Sequence, residues 1–335
     1  MFNCFSAFLA IIGTVIGSGF ISGKEVVVFF SRFGCYSFPC IVIVFFLFFF
    51  LLKFFLFNGE NLIKKLEKSK VFFLLNTILC LIFSSAMFAG AIDMASGLGK
   101  TFNMVFVLLL LFICALVSRR GMSSLEKLNF ILVPIMTLVL IIAVVSRLFC
   151  GGDIQTTSNG LGGMSIIYCI LYVILNTSNS CVLLARLGER MTIKQKTRVA
   201  FISSLVLCLI LTMLNIVLLF SPRVFNEEMP LLELFSGRFR QVLEFAIMIG
   251  CLTTLFSLIY SCSTSMRGMC KNECLIYFVS VIMPFILSLL GFGFIVTQLY
   301  PLASVMGVFL LADLTFIPFF KWANKKIHSS GKQTK

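Results

Sequence analysis

Charged side chains are scarce: they make up 12% of the 335 residues, about half of what soluble domains carry. A soluble globular fold is therefore excluded, as are disordered and collagen-like chains, which are polar or glycine-periodic. Only one histidine is present, His328, and no CxxC pair occurs, so a His/Cys metal site has almost nothing to be built from. The thirteen cysteines lie mostly inside apolar runs, where thiols pack as small hydrophobes.

Long apolar runs are abundant instead. Hydrophobic residues make up 60% of the chain, 40 of them Phe, and the mean hydropathy is +1.09. A membrane-spanning helix needs about 20 apolar residues, which is far longer than a strand of a membrane β-barrel. The sequence therefore predicts an all-α integral membrane protein with ten transmembrane helices. They lie at about 4–33, 36–57, 71–98, 102–118, 128–149, 164–187, 197–221, 240–267, 274–291 and 293–320.

Basic residues are distributed unevenly between the two sides of these ten spans. With the N-terminus inside, the predicted inner segments hold 20 of the 27 Lys and Arg residues. Because basic residues concentrate in cytoplasmic loops, both termini are predicted to be cytoplasmic, including a basic tail at 321–335. The +14 charge is then a record of membrane orientation, and no nucleic-acid partner is expected. We predict a single multi-pass domain, 1–335, in the cell membrane, and the sequence leaves its oligomeric state open.

Two spans are interrupted near the middle of the bilayer. The first contains Gly13, Gly17 and Gly19 within seven residues, and the sixth contains five consecutive polar residues, 176–180. Irregular backbone and polar groups are tolerated at that depth where they face a cavity, which predicts that both helices are broken. Close helix packing through small residues is the alternative for the glycines.

The interruptions fit a duplicated architecture. Each lies in the first helix of a five-helix set, and each set has a predicted interfacial helix after its second span, at 58–70 and at 222–238. Because five is odd, the second set enters the membrane upside down. The sequence thus predicts 5+5 inverted repeats, at about 4–149 and 164–320, with a substrate site between the broken helices.

The segment GTVIGSGFISGKE at 13–25 resembles the first-helix motif of the YkvI-like bacterial membrane proteins. This family belongs to the amino acid–polyamine–organocation superfamily, and the resemblance implies a LeuT-type transporter fold. Similar sodium transporters read G-x-x-V-G-x-G in the first helix. By resemblance, the carbonyls of Gly13 and Ile16 face a sodium ion, and the N–H groups after Gly17, those of Ser18 and Gly19, meet a substrate carboxylate.

The eighth span supplies the other ion ligands expected from this resemblance. Gly250, Thr253 and Thr254 match its small-x-x-[Thr/Ser]-[Ser/Thr] pattern. The two threonines also lie at the middle of the 240–267 span, level with the first break, and hydroxyl oxygens suit a hard cation. The alternative is that each hydroxyl bonds to a carbonyl of its own helix. Polarity and depth alone select the substrate-binding candidates of the sixth span, which are Asn176, Thr177, Ser178 and Asn179.

Four charged residues within or beside the spans are candidates for a gate or a proton relay: Lys24, Glu25, Asp93 and Asp313. Lys24 and Glu25 have a plain interfacial charge pair as their alternative. Asp93 and Asp313 are predicted to be buried, either in such a role or in structural hydrogen bonds. An intramembrane aspartyl protease is the enzyme alternative, but neither aspartate follows a GxG motif. Their predicted depths also differ by about 20 Å.

The sequence therefore predicts a secondary transporter, and no enzyme. Its substrate is expected to be a small organic solute, an amino acid or a related zwitterion or amine, carried together with sodium. No cofactor is expected other than this coupling ion, and the lipid bilayer and the solute are the expected partners. The alternative function is a receptor subunit that keeps the same fold without transporting.

Overall fold

The computed structural model describes residues 4–60, 62–63, 69–96, 100–119, 122–150 and 162–313, and every regular element in these ranges is helical. The predicted tail at 321–335 lies outside them. In chain order the helices are α1 (Cys4–Val15), α2 (Ser18–Ile21), α3 (Lys24–Phe29), α4 (Ser37–Phe57), α5 (Lys70–Ser96), α6 (Lys100–Arg119), α7 (Met122–Cys150), α8 (Gly162–Asn179), α9 (Cys181–Glu189), α10 (Ile193–Leu219), α11 (Gly237–Arg267), α12 (Glu273–Ser288) and α13 (Phe292–Asp313).

Several of these helices can cross a membrane, so the prediction of a multi-pass membrane protein is confirmed. Six in the described ranges are long and apolar enough, or seven if α8 and α9 form one bent span. Shorter apolar helices, at Cys4–Val15, Met104–Val117 and Glu273–Ser288, fall where the first, fourth and ninth spans were predicted. The count of ten spans and the inverted repeat stay predictions.

The outer faces of the long helices are apolar. Phe50 of α4, Leu108 and Phe112 of α6 and Leu138 of α7 each expose more than half of their side-chain surface. In water such rows of exposed large side chains would be an aggregation hazard, whereas lipid accommodates them. These faces therefore identify the surface that contacts the hydrocarbon.

Helix α11 lies at the centre of the bundle. It is the most buried of the long helices in the described ranges and packs against α5, α7, α6, α1 and α2. Its buried positions include Gly250, Thr253, Thr254, Ser257 and Ser261, and such small residues let neighbouring backbones approach closely. The centre of α11 is thus surrounded by the other helices of the bundle.

Two further contacts fix the surroundings of α4. A Cβ atom on Gly188 would collide with the Leu56 carbonyl oxygen, and one on Gly59 would collide with the Ala185 carbonyl oxygen. The backbones of α4 and α9 therefore touch at their ends, and glycine is required there.

A buried polar network ties α10 to the start of α4. Asn215 Nδ2 donates to Ser37 Oγ at 2.7 Å, and Ser31 Oγ donates to Asn215 Oδ1 at 2.8 Å. All three side chains are essentially inaccessible, so each needs its partners within the protein.

The two predicted interfacial helices have different outcomes. After Asn58 the chain is helical at Gly59, Glu60, Leu62 and Ile63, while 64–68 lie outside the described residues. The second prediction is wrong in kind: residues 222–236, here called the outer loop, form only two short 3-10 turns, Pro222–Val224 and Leu232–Leu234. Leu231 and Leu232 are buried, so the apolar residues of this loop pack into the bundle.

Candidate functional site

The first span is broken at the predicted glycines. Ile16 N–H bonds to Ile12 O, but Gly17 N–H turns to Val15 O at 3.0 Å, so the Gly13 carbonyl loses the partner a continuous helix would give it. Thr254 of α11 replaces that partner, and its hydroxyl donates to Gly13 O at 2.9 Å. The freed carbonyl of the break and the hydroxyl of Thr254, two of the predicted ion ligands, therefore form a hydrogen bond with each other.

Close packing holds this meeting point together. A Cβ atom on Gly17 would lie 3.0 Å from Thr254 Oγ1 and 3.1 Å from Met87 Sδ, and one on Gly250 would collide with Ile21. The glycines therefore agree with both predicted roles, a broken helix and close helix packing, because they permit the break and also let α11 approach it.

The other predicted ion ligands have their own arrangements. Thr253 Oγ1 donates to Gly250 O of its own helix at 3.1 Å and lies 3.8 Å from Met136 Sδ. Ile16 is fully buried, and its carbonyl receives no backbone hydrogen bond within the described part of the chain. Gly13 O and Thr254 Oγ1 are thus the predicted ion ligands that the structure brings into contact.

The second break lies at the end of the polar stretch. Helix α8 ends at Asn179, α9 begins at Cys181, and the two axes differ by 57° across Ser180. Ser180 Oγ donates to Asn176 O at 2.8 Å and satisfies one of the last carbonyls of α8.

The four predicted substrate residues of α8 differ in what they contact. Asn176 Nδ2 donates to Tyr172 O at 3.0 Å and Thr177 Oγ1 to Val173 O at 2.7 Å, both within their own helix. Ser178 Oγ is 3.5 Å from Gly307 O of α13. Asn179 is 3% exposed, and its Oδ1 has no hydrogen-bond partner among the described residues. Asn179 is therefore the member of this set with binding capacity to spare.

The position predicted for a substrate carboxylate is covered by the chain itself. A Cβ atom on Gly19 would collide with Glu25 Oε1, because Glu25 folds back from α3 over α2. Ser18 beside it is fully buried and its hydroxyl lies 3.4 Å from Met87 Sδ. Helix α2 has only four residues, so its N–H groups make a weak anion site.

Lys24 and Glu25 are both buried and point in different directions, which excludes the interfacial charge pair. Lys24 is 5% exposed, and its ammonium donates to the carbonyls of Phe225, Asn226 and Glu227 in the outer loop. Gly23, with φ +82°, makes the turn that allows this approach, and Leu231 N–H bonds to Ser22 O at 2.8 Å. The outer loop is thereby fastened over α2 and α3.

The two aspartates are far apart. Asp93 is exposed rather than buried as predicted, because it lies one turn from the end of α5, where it interacts electrostatically with Glu228. Gly293 also lies beside Glu228, since a Cβ atom there would be 2.8 Å from Glu228 Oε1. Asp313 follows Gly293 by 20 residues of helix, which is about 30 Å. The structure does not bring the two carboxylates together.

A cavity of about 260 Å³ reaches the second break from the opposite side of the bundle. Cys181, the first residue after the break, lines it together with Ala185 of α9, Leu62, Phe72 and Thr264. Cys181 Sγ lies 3.4 Å from Asn76 Oδ1, and Asn76 Nδ2 has no partner among the described residues. The broken helices are therefore approached by a cavity on one side and covered by the outer loop on the other.

Sequence reasoning missed Tyr172, Tyr300 and Asn129. The two tyrosine hydroxyls are buried and, within the described ranges, have no hydrogen-bond partner. Asn129 of α7 is 2% exposed, and its amide lies beside Gly13. The sequence does carry a signal for the tyrosines, because each places a polar group within an apolar span. The same criterion selected Asn179.

No protein-family model and no curated protein matches this chain. The function is therefore argued from the site geometry.

Proposed function

We propose that this chain is a secondary transporter of a small organic solute, driven by sodium, with the LeuT-type fold of the YkvI-like proteins that its first helix resembles. The observation that carries the proposal is the coincidence of two broken helices, at Gly17 and at Ser180, within one apolar bundle. Discontinuous helices near the midplane are the usual form of a transporter's substrate site.

Sodium coupling is supported by the oxygens at the first break. Gly13 O and Thr254 Oγ1 are 2.9 Å apart, a spacing that two ligands of one sodium ion can share. The Ile16 carbonyl is the third ligand in this proposal, and Thr253 joins when its hydroxyl turns from Gly250 O. Oxygen donors of this kind suit a hard monovalent cation.

Alternating access is supported by the asymmetry of the two approaches. The cavity at Cys181 leads to the second break from the predicted cytoplasmic side, while Lys24 fastens the outer loop over the other side. We assign this arrangement to an inward-facing state in the plasma membrane, with both termini in the cytoplasm. Release of the outer loop opens the opposite approach.

Reconstituted protein tests the proposal. Proteoliposomes on a solid-supported membrane are screened with amino acids and small amines for currents that require a sodium gradient. Thr254→Ala is expected to abolish the sodium-dependent current and the stabilisation of the purified protein by sodium. The matched control is Thr212→Ala, because Thr212 Oγ1 bonds only within its own helix, to Cys208 O at 2.7 Å.

Three outcomes separate the possibilities. Sodium-dependent current that survives Thr212→Ala and is lost in Thr254→Ala supports the proposal. Solute binding without current in any gradient favours the receptor alternative. Current that a proton gradient drives and that is indifferent to sodium and to Thr254→Ala refutes sodium coupling.

A further inference from the structure

Three buried polar side chains near the first break have unused hydrogen-bonding capacity. Glu25 is 3% exposed, Tyr172 1% and Tyr300 0%. Glu25 Oε2 and both tyrosine hydroxyls have no hydrogen-bond partner within the described part of the chain. Buried polar groups without partners are rare because they destabilise a fold, so each of them calls for a partner such as a water, an ion or a ligand.

These three groups lie where α3 packs against α8 and α13. Helix α3, which carries Glu25, packs against α8 and against residues 295–299 of α13. Phe29, four residues after Glu25 on the same face of α3, packs its ring against Tyr172, and Tyr300 directly follows the segment 295–299 that α3 contacts.

Neighbouring aromatic rings hold both tyrosines in place. The Tyr172 ring lies 5.0 Å from that of Phe30 and 5.6 Å from that of Phe29, and the Tyr300 ring stacks on Phe83 at 4.3 Å. A π-turn at 295–299 immediately precedes Tyr300, a feature frequent at functional sites. The hydroxyls are therefore fixed near Glu25 without bonding to it.

The missing partner is best supplied by an ammonium group. It brings the positive charge that stabilises the ionised form of a buried carboxyl group and three N–H donors, enough for Glu25 and both hydroxyls. Lys24 does not supply this charge, because its ammonium is directed to the outer loop. A ligand carboxylate at Gly19 would be repelled by Glu25, which already covers that residue.

We propose that Glu25, Tyr172 and Tyr300 form a subsite for the ammonium group of a cationic amine whose charge is not cancelled by a carboxylate at Gly19. This inference rests on the proposed function, because it names the substrate class of the same transporter site. It revises the expectation that the solute is an amino acid bound through its carboxylate.

Thermal unfolding of the purified full chain in sodium-containing buffer tests the subsite. The probes are putrescine, ethanolamine and n-butylamine, each beside its hydroxyl analogue 1,4-butanediol, ethylene glycol or n-butanol, and L-alanine as a zwitterion. At least one amine is expected to stabilise the protein, with its hydroxyl analogue and L-alanine much weaker. Stabilisation by no amine, or by the hydroxyl analogues equally, overturns the proposal.

Variants assign the effect to the subsite. Glu25→Gln is expected to weaken the apparent amine affinity at least about 30-fold. Tyr172→Phe and Tyr300→Phe each remove one hydrogen bond and are expected to weaken it about fivefold. The surface control Glu233→Gln, which alters only a contact with Arg240, is expected to leave it unchanged.

The ligand-free melting temperatures separate binding from structure. Because Glu25 Oε2 and both hydroxyls find no partner among the described residues, Glu25→Gln is expected to raise the melting temperature without amine, and the two Phe variants to keep or raise it. Lower melting temperatures of these variants would show that the side chains have structural roles and would overturn the proposal. It would also be overturned if sodium alone stabilised the protein as much as the amine does and lost this effect in Glu25→Gln. Failure of the transport proposal gives a different pattern, with amine stabilisation present and sodium-driven current absent.

Discussion

Lys24 is predicted to hold the outer loop closed, and Lys24→Met removes its charge while keeping most of its stem. The ammonium donates to three carbonyls of the loop, and a hydrogen bond to a charged group contributes about 1.5 to 3 kcal/mol. Burial of the ammonium offsets part of this gain. We therefore take about 2 kcal/mol as the local stability lost, which corresponds to about 30-fold more frequent opening of the loop.

Hydrogen exchange measures this opening directly. The Leu231 amide, which bonds to Ser22 O, is expected to lose about 30-fold of its protection in Lys24→Met, while amides of α4 keep theirs. Lys53→Met is the matched control, because the Lys53 ammonium lies 5.8 Å over the rings of Phe49 and Phe57 on α4. Unchanged protection of Leu231, or an equal loss in the control, refutes the role of Lys24.

The close contacts of the fold give two further predictions. Gly188→Ala and Gly59→Ala are each expected to destabilise the protein by at least about 2 kcal/mol, since a backbone carbonyl blocks the new methyl group. Gly163→Ala, which meets nothing within 4 Å, is the control in thermal unfolding, and equal melting temperatures would refute the close approach. Asn215→Leu is expected to cost about 1 to 3 kcal/mol in the same assay, because the buried Ser31 hydroxyl loses its acceptor while Ser37 keeps its bond to Gly34 O, and a loss below about 0.5 kcal/mol would contradict this.

The helical bundle could be predicted from the long apolar runs of the sequence. Both interruptions could be predicted because they are exceptions within those runs. Forty Phe and long apolar runs predict membrane helices, and three glycines or five polar residues within such runs are exceptions visible to inspection. The exact ends of the breaks were not accessible. The second one falls at Ser180 alone, because Asn176 and Thr177 satisfy themselves on their own helix and continue it.

The outer loop shows why a local pattern can mislead. Its segment MPLLELF has apolar residues at spacings that predict an amphipathic helix. Pro230 within this segment, a hydrogen bond from Leu231 N–H to Ser22 O and the burial of Leu232 favour irregular backbone instead. The deciding contacts join residues about 200 positions apart, and no local reading of the sequence contains them.

Polar residues within the spans fall into two classes that a sequence does not distinguish. Thr177 and Ser257 donate to carbonyls of their own helix, so they are satisfied wherever the helix forms. Glu25, Tyr172 and Tyr300 are held away from every described partner by the packing of α3, α8 and α13. Only tertiary structure creates this second class, and burying these groups without a partner destabilises the fold. For that reason these three groups, rather than the polar stretch of α8 as a whole, are where we place solute recognition.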